Sequence, residues 1–191
     1  MNTYQFKELK IEVFNDPIFS VDSADNALNY RHLFYSDDSG YSNDNIHGVR
    51  ILDNEKIINS CAVISSGGGT GIFSNSTLFI DNGDLLICCG NTVFCLTVPM
   101  LSLRWKTIVD IATCFQIFKM DNGNDYIIHG ECQITRLSSD GDIKWQFSGM
   151  DIFLNPDGQN EFEIRENYIE LTDFDGVKYK LDFNGVGIIS K

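Results

Sequence analysis

Leu137-Ser138-Ser139-Asp140-Gly141-Asp142-Ile143-Lys144-Trp145-Gln146-Phe147 reads as an apolar residue, a turn, and a strand that carries a tryptophan. Asp-Gly between two apolar runs marks a hairpin, because both residues tolerate the positive φ of a tight turn. The same order returns downstream, where Leu181-Asp182-Phe183-Asn184-Gly185-Val186-Gly187-Ile188 again places Gly four residues after Leu. Upstream, Leu96 is followed by Val98-Pro99-Met100-Leu101 and, after one extra residue, by Trp105. Trp105 and Trp145 stand 40 residues apart, and Ile189 follows Trp145 by 44.

The runs that open each unit keep the same step: Leu85, Tyr126 and Tyr168 are 41 and 42 apart. Asp81-Asn82-Gly83-Asp84 separates Leu78-Phe79-Ile80 from Leu85-Leu86-Ile87, and Asp121-Asn122-Gly123-Asn124 separates Phe115-Gln116-Ile117-Phe118 from Tyr126-Ile127-Ile128. Three apolar runs and a lead-in strand (77–80, 115–119 and 161–165) make four strands in a period of about 40 residues, which fits a propeller blade. A lone meander of this kind cannot bury both faces, so the units must stack. A tryptophan that recurs with the period packs between blades rather than on a ligand. Arg104 and Lys144 each precede their tryptophan and are expected on the opposite side of the strand.

The fold expected is all-β: a propeller-like array of four-stranded antiparallel repeats in one domain spanning 1–191. Residues 77–191 hold three clear repeats. Residues 47–80 supply a degenerate fourth through Val49–Leu52 and Ile57–Ile64, leaving an open or partial propeller. Residues 1–46 read as an N-terminal cap or edge segment, with a short helix at 23–33.

The run from Leu137 to Phe147 resembles the repeat of pyrroloquinoline-quinone-type β-propellers, where a Leu-Asp-x-x-Gly turn leads into a strand ending in Trp. The resemblance covers roughly 77–191 and implies kinship of fold. Those propellers close with many more blades than this chain supplies. The resemblance therefore does not carry over the quinone, whose binding needs residues from a full ring, and no cofactor is expected.

The chain has 27 Asp and Glu against 14 Lys and Arg, a net charge of −13. Such a surface repels phosphate backbones, so the partner expected is a protein, with a basic one favoured, rather than nucleic acid. The N-terminus lacks a basic stretch followed by an apolar core, and no run of about 18 apolar residues offers a membrane span. Six cysteines occur without any Cys-x-x-Cys pair, most of them inside apolar stretches. Reduced, buried cysteines in a cytoplasmic protein are the expectation.

Few residues invite chemistry. Gly67, Gly68 and Gly69 lie in a glycine stretch that lacks the Lys of a phosphate loop, and read as a flexible loop bordering a binding surface. His129 and Glu131 stand at i and i+2 of a strand, without a third ligand at metal-binding spacing. All five are surface candidates; no catalytic, cofactor or metal residue is nominated. The Asp-rich turns are expected to bond their own backbone. The function expected is a non-enzymatic interaction module, in one form an immunity-type protein that captures a basic toxin. Two alternatives stand beside it. One is a small-ligand binder or hydrolytic enzyme using the propeller mouth, with His129, Glu131 and the 65–71 loop at one rim. The other is a structural domain that self-associates through an open blade edge.

Overall fold

Turns every few residues fold the chain back on itself, and strands joined directly by such tight turns pair antiparallel. The computed structural model describes residues 1–37, 45–120, 124–154 and 161–188. Asp121–Gly123 of the second turn signal, and Ile189, lie outside them.

The first sheet contains β1 (Asn2–Phe6), β2 (Leu9–Asn15), β3 (His32–Tyr35), β4 (Asn45–Asp53) and β5 (Lys56–Ser65), in the order β1-β2-β4-β5-β3. Among the described strands, only β3 runs parallel to its neighbour, β5. The second sheet is a meander of β6 (Thr77–Phe79), β7 (Asp84–Cys89), β8 (Thr92–Thr97) and β9 (Ser102–Ile108). The third repeats it with β10 (Cys114–Lys119), β11 (Tyr126–Gly130), β12 (Ile134–Leu137) and β13 (Ile143–Phe147). The fourth has β14 (Phe162–Ile164), β15 (Ile169–Thr172) and β16 (Lys178–Leu181), with a further bridge from Leu181 to Gly187. We refer to these sheets as blades 1 to 4.

Two boundaries differ from the sequence reading. Residues 1–46 do more than cap or edge the array: β1 and β3 are the two edge strands of blade 1, and β2 pairs with β4 inside it. Residues 47–80 do not make a blade by themselves: β4 and β5 belong to the fourth unit expected there, which β1, β2 and β3 complete, and β6 opens blade 2. The insertion between β2 and β4 hid this pairing. The helix expected at 23–33 is absent. Instead the Asn26 side chain bonds Ser20 and Ser23 in a looped segment that leads into β3.

Each pair of neighbouring blades shares an apolar core. Ile11, Val49, Ile51 and Val63 of blade 1 pack on Leu85, Ile87, Phe94 and Leu96 of blade 2. Leu86, Cys88, Val93 and Cys95 pack on Ile117, Tyr126, Ile128 and Leu137. Ile127 and Ile134 pack on Phe153, Ile169, Leu171 and Leu181. Among the described residues no such cluster joins blade 4 back to blade 1. Blade 4 instead turns outward a charged face, on which Arg165 pairs with Glu163 at 2.6 Å and lies 3.4 Å from Glu170. The outward face of blade 1 is covered by its own inserted segment, with Phe19 and Tyr30 packed over Ala62 and Ile64.

The repeated tryptophan is the bolt between blades. Trp105 donates its indole N–H to the Ser139 carbonyl, and Trp145 donates to the Phe183 carbonyl, both at 3.0 Å. Each ring lies against the turn glycine of the next blade. A Cβ at Gly141 would stand 2.6 Å from the Trp105 ring, and one at Gly185 would stand 2.7 Å from the Trp145 ring. Both glycines also have positive φ, 87° and 78°. Only glycine meets both demands. In blade 1 the equivalent reach is made by Asn59, whose amide donates to the carbonyls of Pro99 and Met100 at 3.1 and 2.9 Å.

Arg104 and Lys144 depart from the expected alternation. A bulge shifts the β8–β9 register between Cys95 and Leu96, and another shifts β12–β13 between Arg136 and Leu137. The extra residue in each outer strand turns back toward the start of its blade. Arg104 thereby reaches Asp84 at 2.5 Å, and Lys144 reaches Asp125 at 2.7 Å.

Candidate functional site

Alternate chain reversals gather at one rim. These are the segments 66–76, 90–91, 109–113, 131–133, 148–154 and 173–177. Backbone bonds stitch them side by side. Gly68 N–H donates to Ala112, Glu131 N–H to Thr113, Phe153 N–H to Glu131 and Phe174 N–H to Ile152, at 2.6–3.0 Å. The buried Asp110 carboxylate adds four bonds, accepting the N–H groups of Ala112 and Thr113 on one oxygen and of Cys132 and Gln133 on the other. Loops held this way present side chains on a rigid scaffold.

The glycine stretch and Glu131 do meet at this rim. Gly67 leaves no room for a side chain, since a Cβ would lie 2.2 Å from the Ala112 carbonyl. A Cβ at Gly68 would lie 3.7 Å from the Glu131 carboxylate. Gly67 and Gly69 are exposed and Gly68 half-buried.

His129 is not a surface residue, and this corrects the sequence reading. It is 0 % exposed, stacked on Phe162 at 4.8 Å with Phe115 at its edge. Glu131 lies beyond the end of β11, so the two residues do not share a strand face. The two nitrogens of His129 approach Gln116 Oε1 at 3.1 Å and the Phe153 carbonyl at 3.3 Å. Burial pulls its pKa down to about 4, so the ring is neutral and has one N–H to give. Assigning that N–H to Phe153 and rotating the Gln116 amide so that its NH₂ faces Nδ1 satisfies both contacts. His129 is thus a bonded core residue between blades 3 and 4.

The Asp-rich turns bond their own backbone. Asn82 Oδ1 accepts the Asp84 N–H, and Asp182 Oδ1 accepts those of Asn184 and Val186.

The sequence reading missed the rim's apolar side chains. Ile111 is 78 %, Met150 86 % and Phe174 51 % exposed. Each adjoins an acid, in Asp110-Ile111, Met150-Asp151 and Asp173-Phe174-Asp175. Asp110 and Asp151 are 41 residues apart, so the blade period itself pointed to them. The charges on the rim segments are Asp110, Glu131, Asp151, Asp173 and Asp175; these segments contain no Lys, Arg or His. The nearest following cation, Lys178, already belongs to β16. Asp173 is inward and structural. Burial raises its pKa, but bonds from the Tyr179 hydroxyl and the Val177 N–H outweigh this and hold it below the usual range.

No protein-family model and no curated protein matches the chain. Two solved structures are similar in shape. One is a protein of unknown function from Bacteroides caccae (TM-score 0.46, 11% identity, 75% of this chain and 53% of that one). The other is the AfRom2 CNH domain (TM-score 0.45, 10% identity, 75% of this chain and 46% of that one). The chain spans about half the length of the structures it matches. No helix among the described residues is long and apolar enough to cross a membrane. By its own topology the chain is an all-β, propeller-like array of largely antiparallel sheets.

Proposed function

We propose that the protein is a non-enzymatic interaction module, and that the stitched rim is its docking surface for a basic protein. One observation carries this reading. Exposed Ile111, Met150 and Phe174 stand among Glu131, Asp151 and Asp175 on segments free of any cation. An apolar centre with charge of one sign selects a partner with apolar anchors and Lys or Arg around them. The surplus of acid over the whole chain adds steering, which favours fast capture of the kind an immunity protein needs. A cytoplasmic setting accords with six free cysteines. Kinship with quinoprotein-type repeats accords with the tryptophan seated on a turn glycine. The enzymatic alternative loses its base, because His129 is enclosed between blades.

The test is affinity capture from the source cells by the native chain and by two variants, Met150→Asp and Glu131→Lys/Asp175→Lys. A stoichiometric basic partner that is released at high salt, and lost by both variants, is expected. Equal retention on all three would sink the rim as the docking surface.

A further inference from the structure

A cavity of about 150 Å3 opens where blade 2 meets blade 3, lined chiefly by Asp84, Arg104, Lys119, Asn124, Tyr126 and Ser139. Its origin is a difference within the repeat. Cys95 pairs with Leu86 on one side and Trp105 on the other. Arg136 pairs with Ile127 and Trp145. The two residues therefore hold the same place in successive blades. Both face the blade that follows, Cys95 in the core shared with blade 3 and Arg136 by contact with Phe183.

At the junction of blades 3 and 4, the Arg136 guanidinium fills its own seat. It donates to Asp125 through Nε at 2.8 Å and Nη2 at 2.6 Å, and to the Phe183 carbonyl through Nη1 at 2.6 Å. That carbonyl also accepts the Trp145 indole. At the junction of blades 2 and 3 the matching acceptors are Asp84 and the Ser139 carbonyl. Asp84 accepts Arg104 at 2.5 Å and Asn82 at 2.9 Å, both on Oδ2. Among the described residues, Oδ1 of Asp84 has no donor, and the Ser139 carbonyl has only the Trp105 indole. A cysteine side chain is too short to reach either.

We propose that this cavity binds a guanidinium group, held between the Asp84 carboxylate and the Ser139 carbonyl as Arg136 is held between Asp125 and Phe183. The volume equals roughly five waters at about 30 Å3 each, which admits a planar guanidinium and part of its stem. Two acceptors on different blades suit a rigid fork of N–H donors better than a point-like ammonium. A second cation beside one carboxylate has precedent in this molecule, since Asp125 already holds both Arg136 and Lys144. Asp140, 3.5 Å from Arg104, adds negative charge nearby. The site lies at the rim opposite the acidic docking loops, so it stands or falls apart from them. With Arg104 and Lys119 in its walls, a small anion is the competing occupant.

The test titrates the whole chain with N-acetyl-arginine amide, N-acetyl-lysine amide and inorganic phosphate, read by calorimetry and tryptophan fluorescence. Saturable one-to-one binding of the arginine compound is expected, roughly tenfold tighter than the lysine compound. Cys95→Arg supplies the chain's own guanidinium and abolishes binding. Asp84→Asn weakens it roughly tenfold, and serves where Cys95→Arg does not fold. Lys119→Ala removes a like charge and tightens it about twofold. Free L-arginine separates the two sources of the group. Tighter binding of the free amino acid points to a small-molecule ligand, and tighter binding of the capped form points to an arginine on a polypeptide; both uphold the site. Absence of saturable binding, equal affinity for lysine, preference for phosphate, weaker binding by Lys119→Ala, or indifference to Asp84→Asn would each overturn it.

Discussion

The junction between blades 2 and 3 and the junction between blades 3 and 4 share one bolt and differ in what surrounds it. Both seat a tryptophan on a turn glycine and a carbonyl of the next blade. Around it, the later junction places Arg136 and His129 where the earlier one has Cys95 and Cys88, as the ladder registers show. One junction is thus polar and internally satisfied, while the other is smaller in its side chains and keeps a cavity. A repeat conserves the contact that sets blade spacing and leaves the neighbouring positions free to specialise.

The largest effect is expected from breaking what the junctions share. Gly141→Val or Gly185→Val drives a branched side chain into a tryptophan ring at a backbone conformation that branched residues avoid. Overpacking and strain together cost roughly 4 kcal/mol at either site. Urea unfolding should register a similar loss for both. A loss confined to one would mean that the two bolts are not equivalent.

Acid is expected to separate the junctions next. The pKa values of His129 and His47 are pulled down to about 4, in each case chiefly by burial, and among the described residues neither ring nitrogen of His47 has a hydrogen-bond partner. A histidine whose folded pKa lies below its unfolded value leaves stability intact above about pH 6.5 and removes it as pH falls toward 4. Each contributes a loss of about 3 kcal/mol across that window. Cys88, whose thiol burial pushes well up, stays neutral throughout. The variant His129→Cys should therefore lose about 3 kcal/mol less than the native chain between about pH 6.5 and 4. An unchanged pH profile would refute the assignment.

The smallest of the three effects tests the polar filling. Arg136→Ala leaves Asp125 with Lys144 alone and strips one donor from the Phe183 carbonyl, at a cost of about 2 kcal/mol. Arg104→Ala at the earlier junction should cost less, because Arg104 is 40% exposed. Equal losses in thermal unfolding would contradict the difference drawn between the junctions.

The repeat was legible because three independent marks coincided: the step from Leu85 to Tyr126 to Tyr168, the glycine four residues after a leucine, and the tryptophan. Blade 1 was not legible, for physical reasons. It uses Asn59 for its reach instead of a tryptophan, and its meander is interrupted by the segment that carries β3. Period alone therefore placed β4 and β5 in a fourth unit but missed β1, β2 and β3, which complete it. The candidate site was legible in part. Gly68 and Glu131 do lie together, whereas His129 has the residue type of a base and the environment of a core. Ile111, Met150 and Phe174 escaped notice because an apolar residue in a short loop looks in sequence like the end of a strand. The bulges that turn Arg104 and Lys144 toward their acids depend on cross-strand register, which no single strand reveals.

Among the described residues each blade shares an apolar core only with its neighbour in sequence, which bears on how the four blades assemble during synthesis. A closed ring stays loose until its last strand emerges from the ribosome and meets the first. Cores shared only between sequence neighbours set no such deadline. Blade 1 can fold and offer its apolar face to blade 2 while the rest of the chain is still being made, and each new blade consolidates the one before it.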